Sequence, residues 1–118
     1  MFSLLSNSGP DNTEIGRSLY VESCQSCHGN AGTGAGSLPG VPVHGPTGHT
    51  WHHADGQIVA IVLGALEYSG RTMPSFMGVI DEDEVRQILD YLKTNWSSQQ
   101  RSAQAEVSRN WEELYGGS

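Results

Sequence analysis

Two cysteines and a histidine lie together in the run Cys24-Gln25-Ser26-Cys27-His28. The chain has only 2 cysteines, which excludes a scaffold of several disulfides. Thiols about one turn apart can each add to one vinyl group on the same edge of a haem, and the histidine that follows can then reach the iron. The spacing predicts one covalently attached haem c per chain, held through Cys24 and Cys27 with His28 as an axial ligand.

Two other chemistries use paired cysteines, and both fit this sequence less well. A thioredoxin-like redox pair belongs near a βαβ pattern, which this chain lacks. A structural zinc site needs two further ligands at their own spacing, which the histidines could supply. The histidine directly after the second cysteine favours haem, and zinc remains the alternative.

A haem iron that transfers electrons usually has a second axial ligand, often a methionine thioether. Met1 is terminal, which leaves Met73 and Met77. Pro74 biases Met73 toward an extended backbone and has no N–H donor, which suits a segment laid across a haem face. We therefore predict Met73 as the sixth ligand, and we expect Met77 to fill a gap in the core.

Three stretches of the sequence place apolar residues at helical spacing. The first helix is predicted to begin at Asn12 or Asp11 and to run to about residue 24. The second is predicted to open at Asp55 and to end between residues 64 and 70. The third is predicted to follow Asp81, whose acidic successors suit a helix N-terminus, and to run to about residue 96. The apolar positions are Ile15, Leu19 and Tyr20, then Ile58, Ile61, Val62 and Leu66, then Val85, Ile88, Leu89 and Leu92.

The remaining sequence is a long loop and a polar C-terminal stretch. Residues 29 to 48 are rich in glycine and proline, and a loop of this length in a compact domain is expected to wrap a functional group. After Ser97, four apolar residues recur at helical spacing and predict an accessory helix that lies on the body through one apolar stripe: Ala103, Val107, Trp111 and Leu114. With no strand pattern, the fold class is all-α. The predicted divisions are an N-terminal extension (1–11), a central domain (12–96) and a C-terminal helical extension (97–118).

With the haem motif after a first helix, a Met-Pro loop and a closing helix, residues 12 to 96 resemble the class I c-type cytochromes. The resemblance implies three main helices with loops around one haem, and an electron carrier that is not an enzyme. It also implies that Gly16 and Tyr20 meet Tyr91 where the first and last of these helices cross. By the same resemblance, a proline carbonyl orients the axial histidine, and Pro42 is the first candidate for it, ahead of Pro39.

The resemblance further implies that Trp51 hydrogen-bonds the haem carboxylates. Near it lie His49, His52 and His53, of which one is expected to bond a carboxylate while the others are solvated. Two alternatives stay open for the histidines of this loop. They are a second metal site that includes His49 and His53, or replacement of the methionine on the iron by His44 or His49.

The net charge of −7 argues against nucleic acid as a partner and favours a partner with a basic patch. The resemblance implies redox protein partners such as a membrane oxidoreductase, a terminal oxidase or a small copper protein. No stretch approaches the roughly 20 apolar residues that cross a bilayer. Because such cytochromes mature outside the bacterial cytoplasm, we expect a periplasmic or extracytoplasmic location, with a signal or a membrane anchor encoded upstream of about residue 7.

Two rival functions belong to other classes of protein. One is a haem sensor or haem enzyme with a labile sixth ligand, against which the Met73-Pro74 loop argues. The other is a non-haem metal-binding module built from Cys24, Cys27 and the histidines.

Overall fold

The computed structural model describes residues 12–64 and 73–116. Within these ranges the chain is helical and contains no strand, so the predicted all-α class is confirmed. A one-turn 3₁₀ helix covers Thr50–His52, and a π-helical turn covers Glu112–Gly116. The α-helices are α1 (Asn12–Ser23), α2 (Gln25–His28), α3 (Asp55–Val62), α4 (Glu82–Lys93) and α5 (Ser98–Trp111).

Helices α1 and α4 cross at close range because Gly16 lies between them. A Cβ atom at Gly16 would overlap the backbone carbonyl of Gln87 in α4. One turn further along α1, Tyr20 is 1% exposed, and its ring centroid lies 5.9 Å from that of Tyr91 in α4. The prediction that these residues meet at the crossing is therefore confirmed. The crossing is the centre of the apolar core, whose buried members are Tyr20, Ala31, Val59, Ile80, Val85, Ile88, Leu89, Leu92 and Trp96.

Helix α4 begins with a complete capping box. Asp81 accepts a hydrogen bond from the Glu84 backbone N–H at 2.8 Å, and the Glu84 carboxylate accepts one from the Asp81 N–H at 2.9 Å. The helix ends at Lys93, three residues before the predicted end at residue 96. The last three residues form a tighter turn, in which each N–H donates to the carbonyl three residues earlier. This turn lets Trp96 fold back into the core, where it is 3% exposed.

Helix α3 begins at Asp55, as predicted, and its first residue follows the extended residue Ala54. The helix ends at Val62, and Leu63 and Gly64 follow it in a turn in which Gly64 has φ +81°. The predicted end between residues 64 and 70 is therefore at least two residues too late. Leu66 lies outside the described residues. Asp11, the alternative cap of α1, also lies outside them.

The predicted apolar stripe of the C-terminal helix is wrong. Ala103 is exposed, Leu114 is 74% exposed and Val107 is 36% exposed. The most buried residue of α5 is polar: Gln104 is 1% exposed. The helix therefore rests on the body through hydrogen-bonding side chains, with the ring of the half-buried Trp111 against Gly56.

Replacing Gly16 by alanine should destabilise the protein, by about 1–3 kcal/mol, because the added methyl group forces α1 away from α4. The sign of the change in stability is informative, since alanine at an unconstrained helix position stabilises a protein by roughly 0.5–1 kcal/mol relative to glycine. Equilibrium denaturant unfolding measures the change. Ser18→Ala, an exposed position on the same helix, is the matched control. Equal stabilities for Gly16→Ala and wild type would contradict the close crossing.

Candidate functional site

His28 is held by a single hydrogen bond from its imidazole to the returning loop. The ring is 8% exposed, and Nδ1 lies 2.7 Å from the carbonyl oxygen of Pro42. A carbonyl oxygen can only accept, so Nδ1 carries the proton and donates. In the neutral imidazole the opposite ring nitrogen, Nε2, then has the lone pair through which a histidine binds a metal.

The backbone around His28 is fixed on both sides. The Tyr20 hydroxyl donates to the carbonyl of Gly29 at 2.6 Å in a buried hydrogen bond, and the Leu38 N–H donates to the carbonyl of Cys27 at 2.9 Å. Gly29 has φ +79° and leaves no room for a Cβ atom against the Gly34 backbone. A glycine directly after the histidine is thus what allows the loop to turn back over α2.

Cys24 and Cys27 are both free thiols. Cys24 directly precedes α2, and Cys27 lies within its single turn. Burial, with a further contribution from the nearby Cys27, raises the pKa of the Cys24 thiol to about 11. A redox-active cysteine pair needs a thiol whose pKa is lowered, because the thiolate is the nucleophile. Cys24 therefore lacks the lowered pKa of an activated thiol.

His44 forms the second layer beneath His28. The two imidazole ring centroids are 4.3 Å apart, His44 Nδ1 lies 2.6 Å from Thr50 Oγ1, and the His44 carbonyl accepts from Trp96 Nε1 at 2.8 Å. Burial lowers the pKa of His44 to about 3, with a further contribution from His28, so the ring is neutral. Two axial ligands face each other across an iron, whereas these rings lie against each other. The arrangement disfavours His44 as a replacement for methionine.

The other loop histidines are exposed. His49 and His52 are exposed with ring centroids 5.2 Å apart, and His53 Nδ1 lies 3.2 Å from Gln57 Oε1. Across residues 12–64 and 73–116, no group of three or more His, Cys, Asp or Glu side chains is placed to hold a metal ion.

Trp51 is half-buried, and its indole N–H donates to the carbonyl of Gly48 at 3.1 Å. Its ring stacks on His52 with centroids 3.8 Å apart. To bond a haem carboxylate, Trp51 has to share or release the contact with Gly48. Its role toward haem stays a prediction.

The two methionines of the second loop differ in exposure. Met73 is half-buried, while Met77 is 65% exposed. The expectation that Met77 fills a gap in the core is therefore wrong. Ser75 explains the outward position, because its Oγ accepts from the Met77 N–H at 3.2 Å and donates to the Leu63 carbonyl at 3.0 Å, which leads the chain into an exposed turn.

The comparison with protein families agrees with the donor set gathered at α2. The family model of cytochrome c oxidase, cbb3-type, subunit III, matches residues 11–92, more than half of the chain. The chain belongs to this family of c-type cytochrome domains. No curated protein and no solved structure matches it significantly.

Members of this family bind c-type haem covalently. The cytochrome has residues that fit the group: two free thiols on one helical turn, and an adjacent imidazole whose Nε2 keeps its lone pair. A thioether donor is present in Met73, in the loop where the family resemblance puts the sixth ligand.

Two side chains that support the cytochrome's histidine layer were not predicted from the sequence. Thr50 is 9% exposed and holds the His44 ring, while Trp96 holds the His44 backbone. Nothing in the type of either residue distinguishes this role from an ordinary loop or core position. The signal that was available for α5 is the four-residue spacing of Gln100 and Gln104, which places them on one face of the helix.

Tyr20→Phe should lower the free energy of unfolding by about 1–3 kcal/mol, because the buried carbonyl of Gly29 then loses its donor. Denaturant unfolding measures this loss. Tyr91→Phe is the matched control, since the Tyr91 hydroxyl makes no hydrogen bond within the described part of the chain. If both variants lose the same stability, the bond to Gly29 is not what holds this turn.

Proposed function

We propose that this cytochrome carries single electrons between redox proteins through one haem c, attached at Cys24 and Cys27 with His28 and Met73 as axial ligands. The observation that carries the proposal is the hydrogen bond from His28 Nδ1 to Pro42. A metal-binding histidine commonly donates its other N–H to a carbonyl, which fixes the tautomer and the ring orientation.

When bound, the haem iron supplies the electron-transfer chemistry by alternating between its ferric and ferrous states. The protein keeps the imidazole and the backbone next to it in place during that change. Pro42 keeps the imidazole oriented through the hydrogen bond. Tyr20 and Gly29 fix the backbone directly after the ligand, so little has to rearrange when charge changes nearby.

Met73 is our proposed sixth ligand. Its half-buried side chain and the proline that follows it support this role over that of the exposed Met77. A thioether favours the less charged ferrous state, so the protein is expected to have a higher reduction potential than one with two histidine ligands.

The partners that we propose are redox proteins with a basic docking face, because this chain carries a net charge of −7. Candidates are a membrane oxidoreductase, a terminal oxidase or a small copper protein. The description of the matching family names an oxidase subunit, which supports oxidase components among them. Single-electron transfer to such proteins needs no substrate site, so we propose a carrier and not an enzyme.

We propose an extracytoplasmic location, in keeping with cytochrome c domains in general. None of the helices in the described residues is long and apolar enough to cross a membrane. We further propose residues 12–96 as the electron-transfer domain, followed by the helical extension 97–118.

A haem sensor with an exchangeable sixth ligand is the competing function. Carbon monoxide added to the ferrous protein discriminates the two, because a stable Met73–iron bond leaves no open position. An immediate spectral shift at low carbon monoxide would favour the sensor.

Replacing Cys24 and Cys27 together with alanine should abolish covalent haem attachment, because both thioether bonds are lost. Denaturing electrophoresis with haem staining of protein matured in an exporting, haem-ligating host measures it. Ser26→Ala, inside the same motif, is the control and should stain like wild type. Stain that migrates away from the wild-type polypeptide would refute covalent attachment.

Met73→Ala should remove the weak near-infrared sulfur-to-iron band of the ferric protein and lower the reduction potential, because the thioether is gone. Met77→Ala is the matched control and should leave both unchanged, at little cost in stability, because its side chain is 65% exposed. The reverse result would make Met77 the ligand. Absence of the band from the wild-type ferric protein would move the assignment to a histidine.

A further inference from the structure

Helix α5 is attached to the body by a buried polar contact. The Gln104 side chain is 1% exposed, and its Nε2 donates to the His53 carbonyl at 3.0 Å and to Asp55 Oδ1 at 2.6 Å. Both N–H groups of the amide are therefore used. Such a contact is costly to break, because the part-buried carbonyl of His53 and carboxylate of Asp55 lose their shared donor.

A second glutamine of α5 holds the same loop at another point. Gln100 Nε2 donates to the Pro46 carbonyl at 2.9 Å, while its Oε1 accepts from the Ser97 N–H at 3.0 Å. Four residues earlier, Trp96 Nε1 donates to the His44 carbonyl. We call Trp96, Gln100 and Gln104 the loop clamp, because each holds one carbonyl of the loop.

Asp55 fastens the clamp to the rest of the protein. Its Oδ2 accepts from Lys93 Nζ at 2.8 Å at the end of α4, and its backbone N–H donates to Ser108 Oγ at 3.0 Å. Arg101 adds a bond from its guanidinium to the Trp96 carbonyl at 2.7 Å. Through these bonds α5 is linked both to the end of α4 and to the start of α3.

The clamped loop is the one that supports His28. It begins at Pro42, which accepts from His28 Nδ1, and continues through His44, whose ring lies against His28. Thr50, which holds the His44 ring, lies between the two carbonyls that the glutamines hold, those of Pro46 and His53. Trp51 is the one side chain of this loop that packs against the apolar core, and the hydrogen bonds fix the loop on either side of it in sequence.

We propose that Gln100 and Gln104 are positioning residues for His28, so that α5 holds the Pro42–His53 loop closed over the axial imidazole. This rests on the proposed function only in so far as His28 binds the haem iron. The region of the family match ends at residue 92, before α5 begins. The clamp is therefore a property of this chain beyond the matched region.

The test is the exchange of the His28 Nδ1 proton with solvent, followed by NMR in the reduced haem protein. This proton can exchange only when the loop opens and breaks the bond to Pro42. In Gln104→Ala its exchange should be faster by about tenfold or more, while backbone amides at the α1–α4 crossing stay within about twofold of wild type. Gln99→Ala is the matched control, since Gln99 is exposed on the same helix.

Unchanged exchange of the His28 proton in Gln104→Ala would overturn the proposal. Equal acceleration at His28 and at the α1–α4 crossing would also overturn it, because that is the result of general loosening. If Gln104→Ala does not yield folded protein, Gln100→Ala is judged by the same criteria. The wild-type spectrum separates this from failure of the proposed function, since a His28 ring that is not bound to haem iron lacks the large haem ring-current shift.

Discussion

The hydrogen bond between His28 and Pro42 is the constraint on which the rest of the site depends. It joins the helical turn of α2 to a loop that leaves this turn and returns to it within fourteen residues. That path leaves no room for side chains where the loop passes itself: a Cβ atom at Gly45 would overlap the Gly32 carbonyl, and one at Gly48 would overlap the Val43 carbonyl. At these two positions glycine is therefore a packing requirement.

Two kinds of packing hold the protein together, and they do different work. The crossing of α1 and α4 is apolar and close, so it supplies stability through buried area. The contact of α5 with the loop is polar and supplies little buried apolar area, but hydrogen bonds fix direction and distance. Such a contact suits a segment whose exact placement matters, since apolar packing is non-directional.

The helices could be predicted because apolar spacing and capping residues are local signals, as Asp81 with Glu84 illustrates. The haem motif could be predicted because its chemistry requires adjacent residues. Two predictions failed for a common reason. Burial of Val107 and Leu114 and a core position for Met77 are predictions from side-chain hydrophobicity. Hydrophobicity does not tell which surface each residue faces, and all three are exposed. Neither the polar face of α5 nor the turn set by Ser75 can be inferred from hydrophobicity.

Burial keeps two titratable side chains near His28 uncharged, those of His44 and Tyr20. Desolvation holds His44 neutral, and it raises the pKa of the Tyr20 phenol far above its ordinary value, with smaller contributions from Cys24 and Tyr91. Both groups therefore remain neutral throughout the physiological range, and neither adds a charge beside the imidazole. For an electron carrier this has a physical consequence. Under the proposed ligation by His28, no proton needs to enter or leave these two side chains when an electron arrives, so the hydrogen bonds of the layer beneath this histidine are not tied to the oxidation state.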